Sequence, residues 1–376
     1  MQKGSEIIVD FVVKKAELFK ELQYAQGGVE RKTTVPILSN LLLETTANTL
    51  VVTATDLDVT VQCTCPASVK VAGALAVSAR KLFDIVRFLP EADIHFKSDG
   101  QNWIQVTCDR SRFKIASLPK DNFPEIPTVD TNTIALPAQP LHYMTTSCIF
   151  AITQEESRYT LNGALMILKP GSITLVSTDG HRLVFVSRKM EIAGLEEEKK
   201  VLIPKKALTE LSKLTADNVS SIEFGSSENH LFFRVGKRLL VSRLLTGQFP
   251  NYDMVIPQEN DKQVVLNTRE FVDALKRVSV MADEESHAVR LSVTENQLDI
   301  HSSGAEVGEA KESLPAIYKG ESVGIGFNAQ YLLDFLSGLD SEEIELDLRD
   351  EETQGLLKPK PKGDYLHQYV LMPMKL

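Results

Sequence analysis

The sequence predicts an α+β protein, mostly antiparallel, built from three tandem repeats of one two-helix, antiparallel-sheet unit. Three observations lead to this prediction. Short alternating segments that are typical of strands outnumber the helical segments. Few segments show the strand–helix–strand order that parallel crossovers require. The same motifs also recur in the same order along the chain.

The second helix of the unit is the easiest to recognise. Each copy follows a short apolar strand and places Leu, Ile or Phe at helical spacing. The copies are VSARKLFDIVRFLP from Val77, LIPKKALTELSKLT from Leu202 and GFNAQYLLDFLSGL from Gly326, at steps of 125 and 124 positions. An earlier amphipathic helix recurs as KKAELFKELQYA, PLHYMTTSCIFAI and REFVDALKRVSVM.

Strands that end in a polar turn recur with a similar step. They are LVVTATDLDV from Leu50, ITLVSTDGHR from Ile173 and LDIHSSGAEV from Leu298. Two proline-rich connectors, near 120–132 and 246–262, carry Phe123-Pro124 and Phe249-Pro250, which lie 126 positions apart. We therefore predict domains at residues 1–127, 128–254 and 255–376. The alternative is three unrelated αβ domains of similar length.

Length and composition agree with a soluble, multidomain protein. The 376 residues exceed the roughly 250–300 at which single cores stop growing, and 43% of them are hydrophobic. The N-terminal segment interrupts its apolar residues with Asp10, Lys14 and Lys15, unlike a signal peptide. No segment approaches the ~20 apolar residues of a membrane span. We expect a cytoplasmic protein without a membrane partner.

The four cysteines are too few for a disulfide framework in so long a chain. Cys63 and Cys65 would share one face of a strand, and no nearby His or Cys pair completes a zinc site. We predict core or half-buried thiols, and neither a metal nor another cofactor.

The repeat also suggests a closed assembly. Units related by rotation either extend as a filament or close into a ring, and closure removes exposed sheet edges. Three units are too few for a ring, so a dimer of six units is expected. Four of the six predicted helices carry a net positive charge although the whole chain carries −10. A basic lining would attract the phosphates of duplex DNA without reading its sequence.

The segment STDGHRLV allows an enzymatic interpretation. Asp179 and His181 could form an acid–base pair, with Glu155 and Glu156 as further carboxylates. No nucleophile or metal partner is identifiable, and the sequence has neither a phosphate-binding Gly-Lys-Ser/Thr loop nor a His-Glu-x-x-His pattern. A second alternative is a repeat scaffold that binds proteins without DNA, which the basic helices disfavour.

Seven motifs together resemble the bacterial beta sliding clamp family. They are VERKTTVPILSN, RSRFKIASLPKDNFPEIP, YTLNGALM, STDGHRLVFVS, GQFPNYDMVIP, GFNAQYLLDFL and the terminal YVLMPMKL. The resemblance implies a head-to-tail homodimeric ring with the helices on its inner wall. It implies a protein without catalytic activity that encircles duplex DNA at the nucleoid and tethers the replicative DNA polymerase. An ATP-dependent clamp loader and other replication and repair proteins would be further partners.

The resemblance also implies a hydrophobic groove that receives a short partner peptide with Gln and Leu or Phe anchors. Adaptable methionines suit a surface that accepts several partners. The matching positions are Arg158, Leu161, Thr178, Gly180, His181, Arg182, Leu183, Pro250, Met254, Val255, Asn328, Tyr331, Val370, Met372, Pro373, Met374 and Lys375. Within the turn, we expect Asp179 and Gly180 to join two strands, as Asp56 does in the first repeat, and His181 and Arg182 to form a rim.

Two further sets of residues follow from the same resemblance. DNA contacts are expected at Arg31, Lys32, Arg80, Arg112, Gln154, Lys205 and Lys206. A dimer interface is expected where Phe113 and Ile115 of one subunit meet Val280 and Met281 of the other. A core position for Val280 and Met281 is the alternative.

Overall fold

The computed structural model describes residues 9–30, 35–98, 102–129, 132–153, 155–217, 219–304, 308–361 and 363–375. Arg31, Lys32 and Gln154, which the sequence predicts to contact DNA, lie outside the described residues. None of the helices in the described ranges is long and apolar enough to cross a membrane.

The first repeat contains nine strands and two α-helices within these ranges. Its elements are β1 (Val9–Lys14), α1 (Lys15–Ala25), β2 (Asn40–Thr46), β3 (Thr49–Thr55), β4 (Val59–Pro66), β5 (Ser68–Val71), β6 (Ala74–Ser78), α2 (Ala79–Phe88), β7 (Asp93–Ser98), β8 (Trp103–Cys108) and β9 (Ser111–Pro119).

The second repeat follows the same order without a counterpart of β5. Its elements are β10 (Ile134–Pro137), α3 (Ala138–Cys148), β11 (Gly163–Lys169), β12 (Ser172–Thr178), β13 (Arg182–Lys189), β14 (Lys199–Pro204), α4 (Lys205–Thr215), β15 (Ser221–Ser226), β16 (His230–Val235) and β17 (Arg238–Arg243).

The third repeat has the order of the second. Its elements are β18 (Lys262–Asn267), α5 (Thr268–Ser279), β19 (Ala288–Thr294), β20 (Gln297–Gly304), β21 (Gly308–Pro315), β22 (Val323–Asn328), α6 (Ala329–Leu336), β23 (Glu343–Leu348), β24 (Gly355–Lys360) and β25 (Tyr365–Leu371).

The second helices begin later than their sequence motifs do. The first residues of each motif belong to the preceding strand, so α2, α4 and α6 start at Ala79, Lys205 and Ala329. At α6 the reason is visible, because Asn328 is extended and its side-chain oxygen accepts a hydrogen bond from the backbone N–H of Tyr331. Such a cap satisfies a donor that the first turn of a helix leaves free.

By backbone contacts the chain divides into two compact units that do not coincide with the repeats. The first unit comprises Met1–Gln139 with Lys206–Leu244, and the second comprises Pro140–Lys205 with Leu245–Leu376. The first unit holds a 13-stranded sheet in the order β10-β15-β16-β17-β4-β3-β2-β6-β9-β8-β7-β1-β5. The second holds an eight-stranded sheet, β14-β11-β12-β13-β25-β24-β23-β18, and a four-stranded sheet, β21-β20-β19-β22.

The pairing of β4 with β17 explains the composition of the first unit. β4 belongs to the first repeat and β17 to the second, and they pair antiparallel from Arg238 opposite Cys63 to Ser242 opposite Val59. β13 and β25 repeat this arrangement in the second unit, with Leu183 opposite Val370. In both cases the strand that follows a polar turn pairs with the last strand of the next repeat.

A buried ion-pair network reinforces the β4–β17 pairing. Arg238 on β17 donates two hydrogen bonds of 2.8 Å to the carboxylate of Glu21 on α1, and a third to Asp217. The hydrogen bond from Arg238 lowers the pKa of Asp217 to about 2. Its guanidinium also lies 3.8 Å from the ring centroid of Tyr24. A buried charge of this kind is tolerated because its donors are satisfied.

The prediction that the cysteines are core thiols is confirmed, since all four are free and buried. Burial raises the pKa of the Cys65 thiol to about 12. A thiol with so high a pKa carries little reactive thiolate, so Cys65 acts as a small apolar side chain of its sheet.

Candidate functional site

The turn after β12 is held by Asp179 through the backbone. One carboxylate oxygen of Asp179 accepts hydrogen bonds from the backbone N–H groups of His181 (2.9 Å) and Arg182 (3.1 Å). The hydroxyl of Thr178 accepts from the N–H of Gly180 and donates to the carbonyl of Arg182. Gly180 has φ +92°, a conformation that glycine adopts at least cost. Asp179 therefore shapes the chain between two strands.

The first repeat contains the same turn. A carboxylate oxygen of Asp56 accepts from the N–H groups of Asp58 (3.0 Å) and Val59 (2.6 Å). Leu57, which lies between Asp56 and Asp58, has φ +81°, close to the value at Gly180. The predicted equivalence of Asp56 and Asp179 is confirmed by this geometry.

Arg182 is buried, so the prediction that it forms an exposed rim is wrong. Its guanidinium donates to Asp179 (2.9 Å), to Asp334 on α6 (2.6 Å) and to the carbonyl of Phe150 (2.7 Å). It also lies 4.2 Å from the ring centroid of Tyr331. Burial lowers the pKa of Arg182, but its interactions with Tyr369, Asp334 and Asp179 outweigh burial and raise the pKa overall. Arg182 thus fixes the turn to helix α6.

An apolar cavity of ≈ 120 Å³ opens beside this turn. Ten of the sequence-predicted groove residues line it, and the lining also includes Tyr252. The ten are Leu161, Thr178, Gly180, His181, Arg182, Leu183, Pro250, Val255, Val370 and Met372. Most of its apolar wall continues into a hydrophobic cluster that contains Leu161, Leu183 and Val370.

Sequence reasoning missed Tyr252. The residue lies in a short 3₁₀ helix, Tyr252–Met254, of the second connector, and its ring centroid is 5.9 Å from that of Phe185 on β13. The sequence did carry a signal for Tyr252. It is an aromatic residue two positions after Pro250 in a polar connector, and an aromatic side chain there is expected to pack against apolar residues.

The remaining predicted groove residues lie outside the cavity lining. Arg158 donates to the carbonyl of Asp179 (2.7 Å) across Gly180 and pairs with Glu155 at 3.4 Å. Met254 is 83% exposed. Asn328 caps α6 and Tyr331 stacks on Arg182. Pro373 follows Met372 in the half-buried tail, and Met374 and Lys375 border a second cavity.

The described DNA-contact candidates differ in how free their charges are. Arg80 is exposed, with Asp84 3.9 Å away, and Arg112 is exposed on β9. The ammonium of Lys205 donates to the carbonyl of Ile152 (2.9 Å), and burial lowers its pKa. Lys206 forms an ion pair with Asp56. The two lysines are therefore engaged within the protein.

The interface candidates fall on two surfaces. Phe113 and Ile115 lie on β9, 37% and 8% exposed. Val280 follows α5 and is 73% exposed, which argues against a core position. Met281 is half-buried, and its methyl group lies 3.1 Å from where a Cβ of Gly308 would be, at the start of β21.

The geometry does not support the enzymatic interpretation. Asp179 binds backbone N–H groups and Arg182, and its contact with His181 is to the main chain. Glu155 pairs with Arg158. No group of three or more His, Cys, Asp or Glu in the described ranges could hold a metal ion.

Comparison with known proteins identifies the family. The models of the N-terminal, central and C-terminal domains of the DNA polymerase III beta subunit match residues 9–127, 135–251 and 253–375. The beta sliding clamp of Pseudomonas putida is 35% identical over 372 residues, which cover 97% of this chain and 100% of that protein. The chain belongs to the beta sliding clamp family. The predicted three-repeat, antiparallel α+β fold is confirmed.

Other members of the beta sliding clamp family agree. The beta sliding clamp of Escherichia coli K12 is 34% identical over 371 residues, covering 97% of this chain and 100% of that protein. The DnaN clamp of Bartonella birtlesii, in a crystal structure with griselimycin, has a TM-score of 0.92 at 34% identity, with 98% and 100% of the two chains covered. The family is one of non-catalytic processivity factors, so this chain is not an enzyme.

A buried histidine lies on β25, the strand that precedes the C-terminal tail. His367 on β25 is 3% exposed, and its Nδ1 is hydrogen-bonded to the hydroxyl of Tyr143 on α3 at 2.9 Å. Phe335 meets its ring edge-on, and its Nε2 has no hydrogen-bond partner among the described residues. Burial lowers the pKa of His367 to about 4.

Replacing Gly180 by Ala should cost more stability than the same change at Gly171. Gly171 has nearly the same φ, +89°, but a Cβ there meets no atom within 4 Å. A Cβ at Gly180 would lie 2.6 Å from a guanidinium nitrogen of Arg158. Both variants should lose about 1 kcal/mol from backbone strain. Gly180→Ala should lose about 1 kcal/mol more, because Arg158 must give up its hydrogen bond to Asp179.

Urea unfolding measures both losses. In an Arg158→Ala background, which already lacks this hydrogen bond, Gly180→Ala should cost no more than Gly171→Ala. Equal losses in the two single variants would contradict the proposed clash.

Stability should fall as the pH is lowered from 6.5 to 4, in part because of His367. The fold holds His367 neutral, with a pKa of about 4, whereas the unfolded chain takes up the proton near pH 6.5. The contribution of His367 is therefore complete above pH 6.5 and is lost on acidification. It amounts to roughly 3 kcal/mol.

The comparison of His367→Phe with the parent chain isolates this contribution. The variant should lose less stability between pH 7 and pH 4.5, whatever its stability at pH 7, and a variant of the more exposed His301 should behave as the parent does. Parallel pH profiles for His367→Phe and the parent would refute the assignment.

Proposed function

We propose that this chain is a sliding clamp that closes, as a head-to-tail homodimer, into a ring around duplex DNA. The ring holds the replicative DNA polymerase on its template after an ATP-dependent clamp loader has opened it. The observation that carries the proposal is a pair of strand edges, on β21 and β9. In the other two repeats the strands at the equivalent positions pair with each other.

The repeat predicts which strand each edge requires. β4 and β13 follow the polar turns of the first and second repeats, and they pair with β17 and β25, the last strands of the next repeats. The third such strand is β21, whose partner in the described chain is β20. Only a first repeat of another copy can supply the next last strand, which is β9.

β9 is open on the side that this pairing needs. It pairs with β8 over its first part, whereas its pairing with β6 is confined to Ser117–Pro119. Unpaired edges invite a further strand, and a head-to-tail contact that uses different surfaces closes a ring when its rotation permits. Two such junctions would join two chains into six repeats.

The proposed interface residues lie next to these edges. Phe113 and Ile115 are on β9, and Met281 contacts the start of β21. The exposed side chain of Val280 would lose its contact with water there, which is favourable for an apolar residue.

The apolar cavity supports the proposal of a partner-peptide groove. Its wall is almost wholly apolar, with a histidine at its edge, and this is the composition that admits a Leu or Phe anchor and fixes its orientation with few polar groups. We propose that the polymerase, the loader and other replication and repair proteins compete for it. The surface around the cavity would be formed by Arg158, Met254, Asn328, Tyr331 and Pro373–Lys375.

The remaining assignments complete the proposal. The chain would comprise domains 1–127, 128–254 and 255–376 and work in the cytoplasm at the nucleoid. The DNA backbone would be contacted by seven polar or basic residues: Arg31, Lys32, Arg80, Arg112, Gln154, Lys205 and Lys206. Lys205 and Lys206 would first have to exchange their partners, Ile152 and Asp56, for phosphates.

A Val280→Asp chain should be monomeric and should fail to remain on DNA. A carboxylate placed in an apolar interface is costly to desolvate, while the exposure of Val280 lets the subunit fold. Light scattering gives the mass. The parent chain should stay on closed circular DNA after loading and leave when the circle is cut.

The control is Ile317→Asp, at another exposed apolar residue of the third repeat, which should stay dimeric and be retained. Equal retention of the parent chain on linear and circular DNA would exclude the topological mechanism.

Removing residues 372–376 should weaken binding of a synthetic peptide with Gln, Leu and Phe anchors by roughly tenfold or more. The deletion takes away Met372, which lines the cavity, but neither β9 nor β21, so the dimer should persist. Fluorescence anisotropy with the labelled peptide measures the affinity. Val280→Asp is the reciprocal control, since it should bind the peptide normally. Unchanged peptide affinity in the truncated chain would refute the groove.

A further inference from the structure

The second helices of the first two repeats differ at their first residue. Helix α4 begins with Lys205, whose ammonium donates a hydrogen bond of 2.9 Å to the carbonyl of Ile152. Helix α2 begins with Ala79, which is buried. The lysine side chain that lies beside the start of α4 is therefore missing at the start of α2.

The carbonyl that Lys205 binds has a counterpart in the first repeat. Ile152 follows the 3₁₀ helix Ile149–Ala151 and lies 14 residues after the start of α3. Val29 follows the 3₁₀ helix Gln26–Gly28 and lies 14 residues after the start of α1. Within the described part of the chain, the Val29 carbonyl accepts no hydrogen bond. The first repeat thus retains the acceptor and lacks the lysine that would donate to it.

A cavity of ≈ 500 Å³ lies at this place in the first repeat. Ala79 and Val29 both line it, together with Ser78, the residue before α2. Arg80 also lines it, but its side chain is 91% exposed and projects mainly into solvent. Sites for small molecules have volumes of roughly 300–1,000 Å³. The absent lysine therefore leaves room for a separate molecule.

The lining of this cavity is suited to an ammonium group on an aliphatic stem. Glu30 and Asp84 contribute two carboxylates against the single guanidinium of Arg80, so the local charge favours a cation. Phe83 contributes an aromatic ring, whose face attracts ammonium groups. The apolar part of the wall can cover the methylene groups of the stem.

The start of a helix favours an anion through the helix dipole, and α2 starts at this cavity. The second repeat shows that a cation is nevertheless accepted there, because Lys205 lies at the same end of α4 and its ammonium is held by a carbonyl. At the position of Glu30 the second repeat has Thr153. The first repeat therefore attracts a cation more strongly than the second.

We propose that this cavity binds a linear aliphatic polyamine. One primary ammonium would donate to the Val29 carbonyl, as Lys205 donates to Ile152, and a second would lie beside Glu30 and Asp84. Two carboxylates favour a molecule with several ammonium groups over one with a single ammonium. The site does not depend on the proposed ring, since all of its described lining residues belong to the first repeat. In a ring on DNA, the bound polyamine would add positive charge beside Arg80.

Calorimetric titration of the full chain with spermidine tests the proposal. Ala79→Lys should weaken spermidine binding about tenfold or more, because the new side chain fills the cavity and its ammonium takes the Val29 carbonyl. The control is Phe88→Lys, which adds the same charge at the other end of α2, where Phe88 is 79% exposed. It should change the affinity by less than about twofold, since salt screens a distant exposed charge. Equal spermidine affinities in Ala79→Lys and the parent chain would overturn the site.

Lys205→Ala provides a gain of binding that does not require a substitution in the first repeat. The change should expose the Ile152 carbonyl and raise the stoichiometry from one spermidine per chain to two. The new site should be the weaker one, because Thr153 is uncharged. A stoichiometry that stays at one would overturn the assignment of these carbonyls as ammonium acceptors, and the proposal with it.

Asp84→Asn tests the second ammonium. It should weaken spermidine binding by roughly three- to tenfold and should leave the affinity for n-butylammonium, which has one charge, less affected. Asp121→Asn removes another exposed carboxylate of the first repeat and should bind spermidine as the parent chain does. Equal effects of the two substitutions would refute the pairing with Asp84.

Three other ligands separate the polyamine from alternative occupants. Hexaamminecobalt(III) has three positive charges and no aliphatic stem, so its binding should respond equally to Ala79→Lys and Phe88→Lys. A selective loss in Ala79→Lys would mean that the cavity takes any cation. Nα-acetyl-lysinamide should bind more weakly than spermidine, and tighter binding would assign the cavity to a lysine of another protein. Inorganic phosphate should not bind there, and binding that Ala79→Lys abolishes would assign an anion. Each of these contrary results would refute the polyamine site.

Discussion

The antiparallel pairing between a strand of one repeat and the last strand of the next is the interaction on which the rest of the structure depends. β4–β17 and β13–β25 use the same register. At equivalent positions β17 carries Arg238 and β25 carries His367, opposite Cys63 and Val186. Each reaches back to the first helix of the preceding repeat, where Arg238 binds Glu21 on α1 and His367 binds Tyr143 on α3. The polar contact differs in charge, but its place is retained.

The cavity is a direct consequence of this pairing. Leu183 and Val370 face each other near the end of the β13–β25 ladder, and both line the cavity. The next pair is Arg182 and Leu371, and Arg182 is drawn inward by Asp179 and Asp334 rather than outward to solvent. A buried arginine costs free energy unless its donors are met. Here two carboxylates and a carbonyl accept from them and the Tyr331 ring packs against the guanidinium, so the protein itself holds the floor of the cavity in place.

The sequence was sufficient to predict the elements that recur in all or most of the repeats. The step of about 125 residues located the six helices, the turn at Asp179 and the connectors, because each depends on local periodicity and turn chemistry. It was insufficient for contacts between residues far apart in the chain. Arg182 and Asp334 are 152 positions apart, and no local pattern distinguishes an arginine that will be buried from one that will form a rim. The engagement of Lys206 by Asp56, 150 positions away, was missed for the same reason.

Comparison of the repeats also explains the apolar cavity beside the β13–β25 pairing, which we call the second junction. The side chains at the equivalent positions of the β4–β17 pairing, the first junction, are different. The positions of Leu183 and Val370 are held by Thr60 and Val241 in the first junction, which face each other in the same way. Val241 belongs to a cluster on which Val129 of the first connector packs. The positions of His181 and Met372 are held by Asp58 and Arg243, whose charged groups lie 3.8 Å apart. An ion pair and a covering valine thus replace an open apolar wall. The same backbone arrangement thus carries an ion pair in one unit and an apolar cavity in the other through a few side chains.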